Sequence, residues 1–144
     1  MQAILITKLY EHLRSSYPDL LFDLQAEGKV TSFLQQHLDL IAGLIKELEA
    51  QGTPAYIMEE ACMPAIDRNL GPSKFLYVSN ILEEDFPEVH SWLHSSGILA
   101  YEATNMIKAC NPLFDTLGFT EDSDNDRQLR YAVIGEIHEY LADE

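Results

Sequence analysis

The sequence predicts an all-α protein: one irregular helical bundle of six or seven helices, forming a single domain over residues 1–144. Three observations lead there. Apolar residues recur at steps of three and four through most of the chain, the spacing of one helical face. No segment carries the alternating pattern of period two that a half-buried strand needs. Glycine, proline and capping residues punctuate the apolar stretches at helix-length intervals. The length of 144 residues suits one domain of roughly 100–200 residues. The 47% hydrophobic content is that of an ordinary packed core and argues against disorder over most of the length.

The first helix is expected in AILITKLYEHLRSSYP, where Leu5, Leu9 and Leu13 share a stripe flanked by Ile6 and Tyr10. Pro18 opposes its continuation, because proline lacks an N–H and restricts the residue before it. DLLFDLQAEGKV is short, and Gly28 makes it a connector or a single turn. TSFLQQHLDLIAGLIKELEAQG is the clearest helix: Leu34, Leu38, Ile41, Ile45 and Leu48 form one continuous face. Ser32 with Gln35 resembles a capping box there, and Gly52 sits where a C-terminal glycine belongs. The same stripe has a/d spacing, but two heptads are too few to prefer a coiled coil over bundle packing.

Thr53 as N-cap and Pro54 at the first helical position open the next segment, in which Pro64 is expected to kink or split the helix. Gly71 and Pro72 close it. Ser73 starts a helix that places Phe75, Val78 and Leu82 on one face. PEVHSWLHSSG is a short helix begun by Pro87 and stopped at Gly97. The following stretch carries Leu99, Ala103, Met106 and Ile107, with an interruption expected near Asn111–Pro112. The last helix aligns Leu129, Val133, Ile137 and Leu141. Gly135 within it costs about 1 kcal/mol relative to alanine, for which close approach of a neighbouring helix is the expected reason. Short links throughout favour antiparallel neighbours.

Charge narrows the range of functions. The chain carries 9 basic and 24 acidic residues, a net charge of −15. Residues 73–144 hold 4 basic and 14 acidic residues, and therefore −10 of that total. Such a surface repels nucleic-acid phosphate and anionic lipid, so no direct nucleic-acid or membrane binding is expected. A basic protein partner is permitted, although acidic balance also serves solubility. No run reaches the roughly 18 apolar residues of a membrane-spanning helix. The start lacks a basic n-region and cleavage site, and it reads as a first helix. Cys62 and Cys110 are too few for a disulfide framework and suit a reducing cytoplasm as buried small hydrophobes.

The sequence assigns no catalytic, cofactor-binding or metal-ligating residue. Asp122, Asp124 and Asp126 alternate as in a calcium loop. A loop begun at Asp122 would place Arg127 at the glycine position and Val133 at the bidentate glutamate position, so the motif fails twice. The acidic residues read instead as caps for the last helix, with Asp124, Asn125 and Asp126 as candidates. His90 and His94 lie one helical turn apart and could reach one metal, but Ser91 stands where a zinc protease carries its glutamate base. None of the five histidines has an acidic residue three places before it, which removes the di-iron pattern of helical bundles. Glu59–Glu60 and Glu83–Glu84–Asp85 read as solvated faces. Trp92 is expected in the core, with an interface anchor as its other reading. There is no nucleophile elbow or phosphate-cradling glycine loop. A Cys–His pair using Cys62 or Cys110 stays open, though both thiols lie in predicted helices beside apolar neighbours.

Taken in order, LYEHLRSSYPDL, SKFLYVSNILEEDFPEV and LRYAVIGEIHEYL resemble a Bacteroidetes family of small proteins of unknown function. Tyr17 stands where that family usually has a histidine before Pro–Glu. The resemblance implies an all-helical fold of similar length and an association with conjugative mobile elements; it implies no catalytic residues. The expected function is a non-catalytic, cytoplasmic interaction or accessory protein with a protein partner and no cofactor; a homo-oligomer is also compatible. The alternatives are an acidic nucleic-acid mimic that inhibits a DNA-binding or DNA-processing protein, and a small metalloenzyme using His90 and His94.

Overall fold

All regular structure among residues 2–143, the residues described by this computed structural model, is helical. Nine α-helices occur among the described residues: α1 (Gln2–Ser16), α2 (Pro18–Glu27), α3 (Val30–Leu40), α4 (Ala42–Ala50), α5 (Ala55–Leu70), α6 (Lys74–Asp85), α7 (Pro87–Ser95), α8 (Leu99–Leu117) and α9 (Arg127–Ala142). A single 3-10 turn at Ser123–Asn125 precedes α9. The contacts divide the chain into two compact units, residues 1–15 with 20–71 and residues 16–19 with 72–144.

The all-α class stands as the apolar spacing predicts, but the helix count is nine where six or seven were expected, and two segments explain the difference. The presumed connector after Pro18 is a helix of ten residues, α2. Proline at its start supplies a preset φ, Asp19 complements the dipole of the first turn, and Leu21 and Leu24 are buried. Gly28 ends it instead of preventing it. At φ +68° the Gly28 N–H donates to the Gln25 carbonyl at 3.2 Å, and the Lys29 N–H donates to the Leu24 carbonyl at 2.9 Å. This pair of bonds is a Schellman cap.

The second difference lies at Ile41, where the long helix over 31–52 divides into α3 and α4. Ile41 sits at φ −109° and ψ 13° and donates its N–H to the Leu38 carbonyl at 3.1 Å. A β-branched residue at the joint and Gly43 just beyond it both weaken helix propagation. Leu34, Leu38, Ile41 and Ile45 are nevertheless all buried, so the apolar face continues through the joint. Ser32 is the third residue of α3, and its hydroxyl donates to the Lys29 carbonyl at 3.1 Å instead of capping. Pro54 occupies the N-cap position of α5, one place before the one expected.

The two internal prolines break nothing. α5 runs through Pro64 and α8 runs through Pro112. Each proline is exposed, and so are Glu60 and Lys108, the residues whose carbonyls lose their i+4 partner. A carbonyl facing solvent loses little when its intrahelical donor is missing. Position around the helix, which the residue type alone does not reveal, decides the outcome.

In the first unit α3, α4 and α5 pack together. Leu5, Leu9 and Leu13 of α1 are fully buried, as are Cys62 and Ile66 of α5. His12 of α1 meets Asp67 of α5 at 2.6 Å, Nε2 to Oδ1. In the second unit α8 is the central rod, with α6, α7 and α9 against it. Val78, Ile81 and Leu82 of α6, Met106, Ile107 and Cys110 of α8, and Leu129, Val133 and Ile137 of α9 form one buried cluster. Burial of each such side chain is worth roughly 1.5–3 kcal/mol. Residues 118–126 extend this cluster: Phe119 meets Tyr77 edge-on at 5.3 Å and Phe114 at 4.9 Å.

Candidate functional site

Ser73 caps α6 by accepting from the Leu76 N–H at 3.0 Å, and it also donates to the Ser16 carbonyl. Phe86 ends α6 at φ −135°, and Pro87 starts α7 immediately, so the two helices join through one residue. α7 is only nine residues long. With Leu93 fully inward and Val89 partly buried one turn earlier, residue 92 is rotated about 100° off that stripe. Trp92 therefore does not enter the core: 61% of it is exposed. The core position expected for Trp92 belongs to Leu93, because the leucine claims the inward face of α7.

The indole instead stands beside a cleft of about 290 Å³ between α7, α8 and α9. Val89 and Leu93 of α7, Met106 of α8 and Leu141 of α9 give it apolar walls. Glu88 and Glu102 are its charged lining residues. Glu102 Oε2 accepts from the Tyr140 hydroxyl at 2.7 Å, which fixes that carboxylate at the α8–α9 junction. On its other side Trp92 borders an open hollow over α7, lined also by Pro87, Glu88, Ser91 and Ser95. Glu88 precedes Trp92 by four residues, one helical turn, so the carboxylate and the indole share a face. Leu141 and Met106 are legible as members of the α9 and α8 apolar stripes; Glu102 carries no signal that would bring it to a cleft.

The other residues singled out in the sequence fall elsewhere. Asp126 caps α9, its Oδ1 accepting from the Leu129 N–H at 3.1 Å. Ser123, which the sequence did not mark, is buried and accepts from the Thr120 N–H at 2.8 Å. The run Asp122–Asp126 is thus a hydrogen-bonded turn leading into a helix. Glu83, Glu84 and Asp85 are exposed. The Arg130 guanidinium bridges the last two, at 2.9 Å to Glu84 and 2.5 Å to Asp85. His90 and His94 lie with parallel rings, centroids 6.2 Å apart. Among the described residues no group of three or more His, Cys, Asp or Glu side chains is placed to hold a metal. Gly135 has open space where a Cβ would stand, so no neighbouring helix accounts for it.

Cys62 and Cys110 are both fully buried, as small hydrophobes would be. Burial pushes the Cys62 thiol up. Burial, aided by Glu136, pushes Cys110 up to about 12. A thiol so far from thiolate is a poor nucleophile. Tyr77 is likewise pushed up to about 12, chiefly by burial; Arg130 opposes the rise, and Asp124 and Asp126 add to it. Its hydroxyl has no hydrogen-bond partner among the described residues.

No family model, curated protein or solved structure matches the chain.

Proposed function

We propose that this chain is a non-catalytic interaction or accessory protein of the cytoplasm, which docks another protein through the face of α7 that carries Trp92. The observation that carries the reading is an indole left 61% exposed beside an apolar cleft. Leaving a large aromatic in water forgoes roughly 25 cal/mol per Å² that burial would return. Tryptophan is also the residue type most enriched among interface hot spots. Among the described residues no helix is long and apolar enough to cross a membrane, which is compatible with this setting. The resemblance read from the sequence adds an association with conjugative mobile elements.

Affinity capture from the native host, run with the chain and with Trp92→Ala in parallel, tests the reading. A protein retained by the first and lost from the second supports it. Capture of nothing above background overturns it.

The acidic-mimic reading draws on Glu121, Asp122 and Asp124, all exposed in the turn before α9. Glu84 and Asp85 contribute less to it, because Arg130 already neutralises part of their charge. A mimic replaces phosphate contacts, so its binding to a DNA-processing enzyme must weaken steeply with salt. Salt-independent binding removes this second reading.

A further inference from the structure

Resting on the interaction reading, we infer that the α7–α8–α9 cleft takes a partner segment with one large apolar side chain flanked by arginine or lysine. Size gives the first half of the argument. A cavity near 150 Å³ lined by apolar side chains binds benzene, so about 290 Å³ between Val89, Leu93, Met106 and Leu141 accepts one aromatic or long aliphatic side chain with room to spare. Its walls offer that side chain packing on three helices and few polar groups to desolvate.

Charge gives the second half. Among the described residues the charged ones lining the cleft and the adjoining hollow are Glu88 and Glu102, both acidic. Glu88 and the exposed indole lie one turn apart on the same face of α7. A guanidinium or ammonium laid over that indole would therefore meet a carboxylate and a π-face together, the two groups that attract a cation most strongly. The same charges disfavour a second copy of this chain as occupant. The surface that would approach belongs to a molecule of net charge −15, and like charges set against each other cost binding.

Trp92 is the single tryptophan of the chain, so its emission reports on the cleft alone. The experiment titrates the full chain with two synthetic helical peptides that share one phenylalanine anchor and differ only in flanking residues, arginine in one and glutamate in the other. The arginine peptide is expected to shift Trp92 emission to shorter wavelength and to saturate; the glutamate peptide is expected to leave it unchanged. Calorimetry with Trp92→Ala should show affinity for the arginine peptide lower by at least tenfold. Glu88→Gln with Glu102→Gln, which preserves an acceptor for Tyr140, should lower it by about fivefold.

Equal response to the two peptides overturns the charge claim. No response to either, with a host protein captured by the chain and lost from Trp92→Ala, overturns the proposed occupant while leaving the interaction reading intact; equal capture by both overturns the two together. No response to either, with a dimer that dissociates on Trp92→Ala, assigns the cleft to a second copy and also overturns the proposal.

Discussion

Replacing Gly135 by alanine should make the protein more stable, and the size of the gain follows from its surroundings. Gly135 is an exposed residue inside α9 without positive φ, and among the described residues nothing beyond its own helix backbone lies within 4 Å of where the new Cβ would be. The methyl group therefore meets no neighbour, and only the backbone term remains. Glycine is less favourable than alanine in a helix interior by about 0.8–1.0 kcal/mol, because its unfolded chain has more freedom to lose. With a urea slope of roughly 1–3 kcal/mol/M, the midpoint should rise by about 0.3–1 M. Unfolding is followed by far-ultraviolet circular dichroism, which reports the loss of helix, α9 included. Gly97 supplies the opposite sign. It ends α7 at φ +74°, where a side chain costs roughly 1–2 kcal/mol, so Gly97→Ala should lower the midpoint. An unchanged or lower midpoint for Gly135→Ala would mean that something presses on that face of α9, and the packing described for it would be wrong.

Three further predictions concern the same unit. Tyr77→Phe should leave stability unchanged or raise it slightly in thermal melts, since the hydroxyl is buried without a partner among the described residues and its removal relieves a desolvation cost; a loss above about 1 kcal/mol would reveal a hidden bond. Stability should fall in alkali: Cys110 and Tyr77 rise from 9.0 and 10.0 to about 12 on folding, so the unfolded chain loses those protons first. The contribution is whole below pH 9, drains between 9 and 12 and should be smaller in Cys110→Ala, as urea midpoints against pH would register. Asp126→Ala should cost about 1 kcal/mol, the usual value of an N-cap, with loss of helicity in circular dichroism; no change would remove the capping bond to Leu129.

Much of the fold was readable because burial follows the stripes. Leu5, Leu9 and Leu13 repeat every four residues and are all fully buried, as are Leu129, Val133 and Ile137. Start and stop signals did nearly as well: Ser73, Pro87, Gly97 and Asp126 each mark the helix end expected of them. The misreadings have a common cause. Residue type alone makes Pro64 and Pro112 helix breakers, whereas both sit on exposed sides where the lost hydrogen bond matters little. Gly28 reads as a breaker by residue type, yet in place it caps a helix already formed. The close neighbour that a glycine inside α9 suggests is absent among the described residues. The cleft itself was hardly legible, because Trp92, Glu102 and Leu141 are brought together by three helices whose mutual packing no local pattern encodes.

Acrylamide quenching of the native protein's tryptophan emission tests the central claim, an indole held outside the core, most directly. An exposed Trp92 gives long-wavelength emission and quenching close to that of the urea-unfolded chain. Short-wavelength emission, protected from acrylamide until the protein unfolds, would put the indole inside and leave the cleft without its anchor.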